Sequence, residues 1–225
     1  MKAMNVQDIV NINYKMYKEC PYEILNRFEL KEYPKEYIIC HQGHEYDYFY
    51  VIAEGLVNIY RISEDGKKYS QAIYKKGDYF GELEVFSKKP YVCSVETITK
   101  AKVWRISRSN FLRWVELDKN FLLYLINTLC DSFYRLSKKA GEDTLYPLKY
   151  RICNFLLRSA DEDNVRDKYI EVPFDRERLS EQFVATTRSI NRILKQLKEK
   201  NIIDIKNKSI IVKDLKGLRR EEDVL

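Results

Sequence analysis

Hydrophobic spacing changes period once along this chain, near residue 107, and that break divides it into a β half followed by a helical half. Before the break, short β-branched and aromatic runs alternate with turns at residues 37–39, 48–53, 56–62, 71–74, 92–98 and 103–106. Gly43, Gly55, Gly66 and Gly77 stand 12, 11 and 11 residues apart. Short strands at that interval, separated by turn glycines, form an antiparallel sandwich or barrel. Asp65-Gly66 lies between two of the runs, and both residue types tolerate the positive φ of a hairpin turn.

After Ser107 the apolar residues recur in steps of three and four. Phe111, Trp114 and Val115 fit a short amphipathic helix, and Asp118 is placed to cap the next. Phe121, Leu122, Leu125, Ile126, Leu129, Phe133 and Leu136 then make one apolar stripe, with Gly141 as the stop signal. A near-heptad stripe of this kind is covered either by a second copy of the chain or by its own β half. Pro147 suits the first turn of a further helix containing Ile152, Phe155 and Leu156. Residues 161–168 read as a polar loop and 169–173 as a strand. Asp175 caps a helix over residues 176–183, Val184-Ala185 is a tight link, and Thr186 caps a helix running to about residue 200. Strands at 202–205 and 209–212 then pair around Lys206-Asn207-Lys208. Two short helices with a tight connection and a β-hairpin make a winged helix-turn-helix.

The second helix of that pair carries the strongest functional signal. Between Val184 and Lys200 stand Arg188, Arg192, Lys195, Lys198 and Lys200, against Glu199 alone. Ile190, Ile193, Leu194 and Leu197 define its buried face, which leaves Thr186, Thr187, Arg188, Ser189, Asn191, Arg192 and Lys195 to meet DNA. Arginine pairs with guanine and asparagine with adenine at major-groove edges, while lysine holds phosphate. The whole chain has 40 basic and 34 acidic residues, a net charge of +6 that permits such a partner.

Several classes of function fall away. The longest stretch free of charged side chains, residues 120–130, is far short of the roughly 20 apolar residues of a membrane span. Residues 1–8 lack the features of a secretion signal, which predicts a cytoplasmic protein. The five cysteines are scattered, with no CxxC pair, so neither a disulfide framework nor a zinc site is expected, and no metal or cofactor is assigned. There is no Walker loop, GxSxG or HExxH motif, so no catalytic residues are assigned and the chain reads as a non-enzyme.

Three runs in the β half complete the pattern: His41-Gln42-Gly43, Tyr50-Val51-Ile52-Ala53-Glu54-Gly55 and Lys76-Gly77-Asp78-Tyr79-Phe80-Gly81-Glu82-Leu83. With them, residues 33–215 resemble the Crp/Fnr family of bacterial transcription regulators. The resemblance implies an α+β chain. An antiparallel, jelly-roll-like β-roll sensor with an N-terminal helical segment occupies residues 1–117. A dimerisation helix follows at 118–141, and a winged helix-turn-helix domain at 142–225. It also implies a homodimer on a palindromic site in double-stranded DNA, with RNA polymerase as a further partner.

Departures from the family pattern bear on the effector. In nucleotide-binding members an arginine and a hydroxyl residue follow the Gly-Glu-Leu run and hold the cyclic phosphate; here those positions hold Tyr91 and Val92, or Val92 and Cys93 in a register shifted by one. A buried phosphate without a cation costs several kcal/mol. Cyclic AMP or GMP is therefore not expected, and the candidate effector pocket of Tyr79, Gly81, Glu82, Leu83, Tyr91, Val92 and Cys93 takes another small molecule or none. Tyr46, Tyr48, Tyr50, Tyr74, Tyr79 and Tyr91 either line the cavity or plug it. The alternatives are a redox sensor using Cys40 and Cys93, and a nucleotide sensor whose phosphate is met by Lys88 or Lys89. His41 and His44 read as surface residues of an early turn. In the helix-turn-helix, Val184 replaces the usual turn glycine, so an altered turn is expected, and Arg188 replaces a base-reading glutamate.

Overall fold

The structure, a computed structural model, describes residues 12–162, 170–206 and 209–223. The chain divides into two compact units at Phe133, inside its longest helix. The described part of the first unit opens with two single-turn helices, α1 (Tyr14–Tyr17) and α2 (Tyr22–Leu25). Strands β1 (Glu29–Tyr33), β2 (Ile38–Cys40), β3 (Tyr48–Glu54), β4 (Val57–Ile62), β5 (Lys68–Tyr74) and β6 (Tyr79–Phe80) follow. Helix α3 (Glu82–Ser87) separates them from β7 (Ser94–Thr97) and β8 (Ala101–Ser107), after which come α4 (Arg108–Leu117) and α5 (Lys119–Leu145).

Two antiparallel sheets, ordered β1-β8-β3-β6 and β2-β7-β4-β5, form the roll. Strand β3 is buried on both faces. Tyr50 and Ile52 point into the roll with Cys40, Val95 and Val103, whereas Phe49 and Val51 point into a helical layer with Phe111 and Trp114. Side chains alternate along a strand, so a doubly covered strand reads as an unbroken apolar run rather than as alternation.

That helical layer is held by stacked rings. Trp114 lies between Phe121, at 3.5 Å, and Tyr17, at 5.4 Å, with Phe28 edge-on at 5.9 Å. Asp118 joins α4 to α5: one carboxylate oxygen accepts the Trp114 indole N–H at 3.2 Å, the other the Phe121 backbone N–H at 2.9 Å.

Helix α5 spans 27 residues, about 40 Å at 1.5 Å per residue. Gly141 does not end it, contrary to the sequence reading. The helix continues to Leu145 and stops where Pro147 disfavours helical geometry at the residue before it. A Cβ added at Gly141 meets nothing within 4 Å, so Gly141→Ala is expected to stabilise the chain by about 0.5–1 kcal/mol, read by thermal denaturation.

The second unit continues with α6 (Leu148–Glu162), β9 (Ile170–Pro173), α7 (Arg176–Phe183), α8 (Thr187–Glu199), β10 (Ile203–Lys206), β11 (Ser209–Val212) and α9 (Leu215–Asp223). Its sheet runs β10-β11-β9, antiparallel throughout, over a core that includes Ile152, Leu156, Phe183, Ile190, Leu194 and Leu197. Of the polar loop expected at 161–168, Asp161 and Glu162 belong instead to α6, and 163–168 lie outside the described residues. Asn207 and Lys208, at the tip of the expected wing, also lie outside them.

Candidate nucleic-acid interface and sensor site

Helix α8 is fixed from both ends of its approach. Asp175 caps α7 by accepting from the Glu177 and Arg178 backbone N–H groups, and Thr186 caps α8 by accepting from Ser189 N–H at 3.2 Å. Between the helices Val184 takes a left-handed conformation, φ 51° and ψ 43°, so the turn keeps the geometry that glycine would favour. The altered turn expected from the sequence is not seen. The side chain is exposed, so its β-branch meets only local backbone crowding. Ile190, Ile193, Leu194 and Leu197 are buried, as the apolar spacing requires.

The opposite face of α8 is polar. Thr186, Thr187, Arg188, Asn191, Arg192 and Lys195 are exposed and Ser189 is half-buried. Lys198 is tied to Asp204 at 2.9 Å and Lys200 to Glu221, while Lys195 reaches its own helix's Glu199 at 3.7 Å. Lys198 and Lys213 together hold the Asp204 carboxyl well below the usual range. Arg188 and Arg192 make no ion pair or hydrogen bond among the described residues. Along α8, among the described residues, the basic charge without an ion pair thus lies in the first half of the helix. Sequence reasoning missed Arg176, at the start of α7, whose Nε donates to Asn191 Oδ1 at 3.3 Å. The signal was the shortness of the α7–α8 link, which lets the first residue of one helix reach the middle of the next.

The sensor residues do not converge as expected. Tyr91 is buried in the roll beside Cys40, Tyr50 and Phe80, with its ring edge-on to Tyr46 at 5.4 Å. Tyr79 faces the other way, into the helical layer against Phe49, because its neighbour Phe80 takes the roll face of the same strand. Leu83 and Val92 are exposed, at 54% and 53%. Cys93 is half-buried and its thiol donates to Gln71 Oε1 at 3.2 Å. Of the aromatic set, Tyr46, Tyr48, Tyr50, Tyr74 and Tyr91 pack in the roll cluster and Tyr79 does not.

Gly81, at φ +93°, precedes α3, and the Tyr91 hydroxyl crowds against it; a Cβ there would lie 2.5 Å from that oxygen and 2.7 Å from the Tyr48 carbonyl. The Tyr91 side chain therefore fills the space in front of this helix start. Its hydroxyl is buried with no hydrogen-bond partner among the described residues, and the adjacent polar group is the Cys40 thiol. Tyr91→Phe is therefore expected to be neutral or to stabilise by up to about 1 kcal/mol in denaturant titration, whereas a loss larger than that would reveal a partner for the hydroxyl.

Burial pushes the Glu82 carboxyl up to about 7, with Glu84 adding to the rise and the residue's own backbone N–H opposing it. Glu84 is also raised by burial, although it accepts from the Val92 backbone N–H. Lys88 and Lys89, beyond the end of α3, are exposed. Burial pushes the Cys40 thiol up to about 12 and raises Cys93 as well, so both are held protonated near neutrality. His41 and His44 are exposed, and among the described residues no group of three or more His, Cys, Asp or Glu could hold a metal ion.

The apolar stripe of α5 splits in two. Phe121 and Leu125, expected on the partner-facing side, are buried in the first unit's own core, because Trp114 takes Phe121 as its stacking partner. Leu122 and Leu129 are half-buried, while Ile126, Phe133 and Leu136 are 46%, 74% and 44% exposed. These five recur at steps of 4, 3, 4 and 3, the spacing of a coiled-coil seam.

Residues 30–118 match the cyclic nucleotide-binding domain and residues 150–221 the Crp-like helix-turn-helix domain. The cAMP-activated global transcriptional regulator CRP of Salmonella typhimurium is 24% identical over 191 residues, covering 84% of this chain and 91% of the relative. The CRP-like cAMP-activated global transcriptional regulator of Mycobacterium tuberculosis is 23% identical over 192 residues, covering 84% and 86%. Among solved structures, a CooA mutant from Carboxydothermus hydrogenoformans matches with a TM-score of 0.79 at 17% identity, over 99% of this chain and 98% of that one. The c-di-GMP responsive regulator CLP of Xanthomonas campestris matches at 0.74 and 17%, over 83% and 94%. No helix among the described residues is long and apolar enough to cross a membrane.

Proposed function

This chain belongs to the Crp/Fnr family of transcription regulators, and on that premise we propose that it works in the cytoplasm as a homodimer reading a palindromic site in double-stranded DNA. The observation that carries this reading is the free pair Arg188 and Arg192 on a capped, exposed helix whose later lysines are already spoken for. Each subunit lays the first half of α8 in a major groove. The two copies pair along the seam from Leu122 to Leu136, which sets the half-sites roughly 34–36 Å apart. The three working parts are the roll at 1–117, the dimerisation helix at 118–141 and the DNA-binding domain at 142–225. RNA polymerase is the downstream partner, and the role is binding rather than catalysis.

The roll of this chain does not answer to cyclic AMP or GMP. By the family pattern Tyr91, or Val92 in a register shifted by one, stands at the phosphate-binding arginine's position; Tyr91 packs into the roll, and two carboxyls, Glu82 and Glu84, lie in the first turn of α3 with no cation acting on Glu82 among the described residues. A phosphate there would be desolvated beside like charge. The raised thiols of Cys40 and Cys93 give no reactive thiolate for a redox signal. Regulation then comes from another small effector or from the amount of protein alone. A gel-shift titration tests both halves. Wild-type affinity for a palindromic duplex should be unchanged by millimolar cyclic AMP, and Arg192→Ala should lose about 1–3 kcal/mol and relax one base preference. Tighter binding with the nucleotide, or an Arg192→Ala variant indistinguishable from wild type, would contradict the reading.

A further inference from the structure

Asn191 is committed before DNA arrives. Its Oδ1 accepts from Arg176 Nε at 3.3 Å, across the two helices of the helix-turn-helix. The guanidinium that donates is itself placed: it lies over the Phe174 ring at 5.1 Å, and Phe174 is buried in the domain core. Asp175, between them, caps α7 through its side chain, which fixes the backbone from which Arg176 departs. Both Arg176 and Asn191 are exposed, and Asn191 stands on α8 between the exposed Arg188 and Arg192.

The chemistry of the pair has one sense. Arginine has only donors, so it bonds the carbonyl end of the amide and never the NH₂ end. Asn191 is thereby held in one of its two flipped orientations, with Nδ2 free to donate and the second lone pair of Oδ1 free to accept. That is the arrangement adenine needs in the major groove, where N7 accepts and N6 donates. A freely rotating asparagine loses this order, because either end can then face the base.

We propose that Arg176 is a specificity-determining residue that acts through Asn191, presetting its amide to read adenine at one position of each half-site. The proposal rests on the DNA-reading function above and adds a residue to it. Arg176 is a positioning residue here. A contact from it to phosphate alone would raise affinity for every sequence equally and would steepen the salt dependence.

Selection from a random duplex library with the full-length wild-type chain and with Arg176→Ala, Arg176→Lys, Asn191→Ala and Arg192→Ala separates these roles. Asn191→Ala should flatten an adenine preference at one half-site position by about tenfold. Arg176→Ala should flatten the same position to a similar degree and leave the Arg192 position intact. Arg176→Lys should keep the salt dependence of binding yet still lose the adenine preference, since a mobile ammonium fixes the amide poorly. The Arg176→Ala, Asn191→Ala double variant should select no worse at that position than Asn191→Ala alone. The proposal is overturned if Arg176→Ala weakens all sequences equally with the preference unchanged, or if Asn191→Ala alters no preference. A wild-type chain that selects no site overturns the DNA-reading function and this proposal with it.

Discussion

Replacing Ile126 and Phe133 together by glutamate should leave the chain monomeric and cut its affinity for a palindromic duplex by about 10²–10⁴-fold, the usual worth of engaging two sites at once. Both side chains stand out from α5 at the centre of the Leu122, Ile126, Leu129, Phe133, Leu136 seam. Burying one such side chain contributes about 1.5–3 kcal/mol, and facing carboxylates across the seam add repulsion. Neither residue belongs to the cores of the two units, so the fold itself should be unaffected. Sedimentation equilibrium reads the mass and a gel shift reads the affinity. A double variant that remains dimeric would place the partner contact elsewhere.

Asp118→Ala should destabilise the first unit by about 2–4 kcal/mol. The carboxylate is buried and satisfies two donors at once: the Trp114 indole and the Phe121 backbone N–H at the start of α5. Loss of a helix cap costs about 1 kcal/mol, and a buried donor left without a partner costs a further 1–3 kcal/mol. Both tryptophans, Trp104 and Trp114, lie in the first unit, so fluorescence during urea unfolding reports on that unit alone. Asp118→Asn keeps an acceptor and should recover part of the loss. Wild-type stability in the alanine variant would show that water serves these donors equally well.

The DNA-binding helices were legible because their signals are local. Asp175 and Thr186 bond N–H groups two or three residues ahead, so cap chemistry alone marks where α7 and α8 begin. Strand β1 was missed because it is an edge strand with little burial, and its Glu-Leu-Lys-Glu-Tyr sequence has no buried face to advertise. Strand β6 has two residues, too few for any period. On α5 the sequence gives a face but not its occupant. Only the packing of Phe121 on Trp114 separates the inward residues from those left exposed. Gly141 misled for a related reason: a glycine can stop a helix, but Tyr146-Pro147, five and six residues beyond it, supplies the stronger steric stop.

In the β half, Tyr91 shortly after the Gly81-Glu82-Leu83 run is visible in the sequence, but its packing against Gly81 depends on strands that are far apart along the chain. Tyr79 and Phe80 divide between two cores, and that division follows from the register of β6 on β3, where Val51 pairs with Tyr79 and Tyr50 with Phe80. For the pair Arg176 and Asn191 the sequence offers only the short α7–α8 link as a signal, and which side chains meet across it depends on how the two helices cross.

Selection of a binding site from random duplex DNA by the purified wild-type chain, with no nucleotide added, tests the central claim most directly. The account predicts a two-fold palindrome whose half-sites are centred one helical turn, about 10–10.5 base pairs, apart. Recovery of no palindrome, or of one only when cyclic AMP is present, would contradict it.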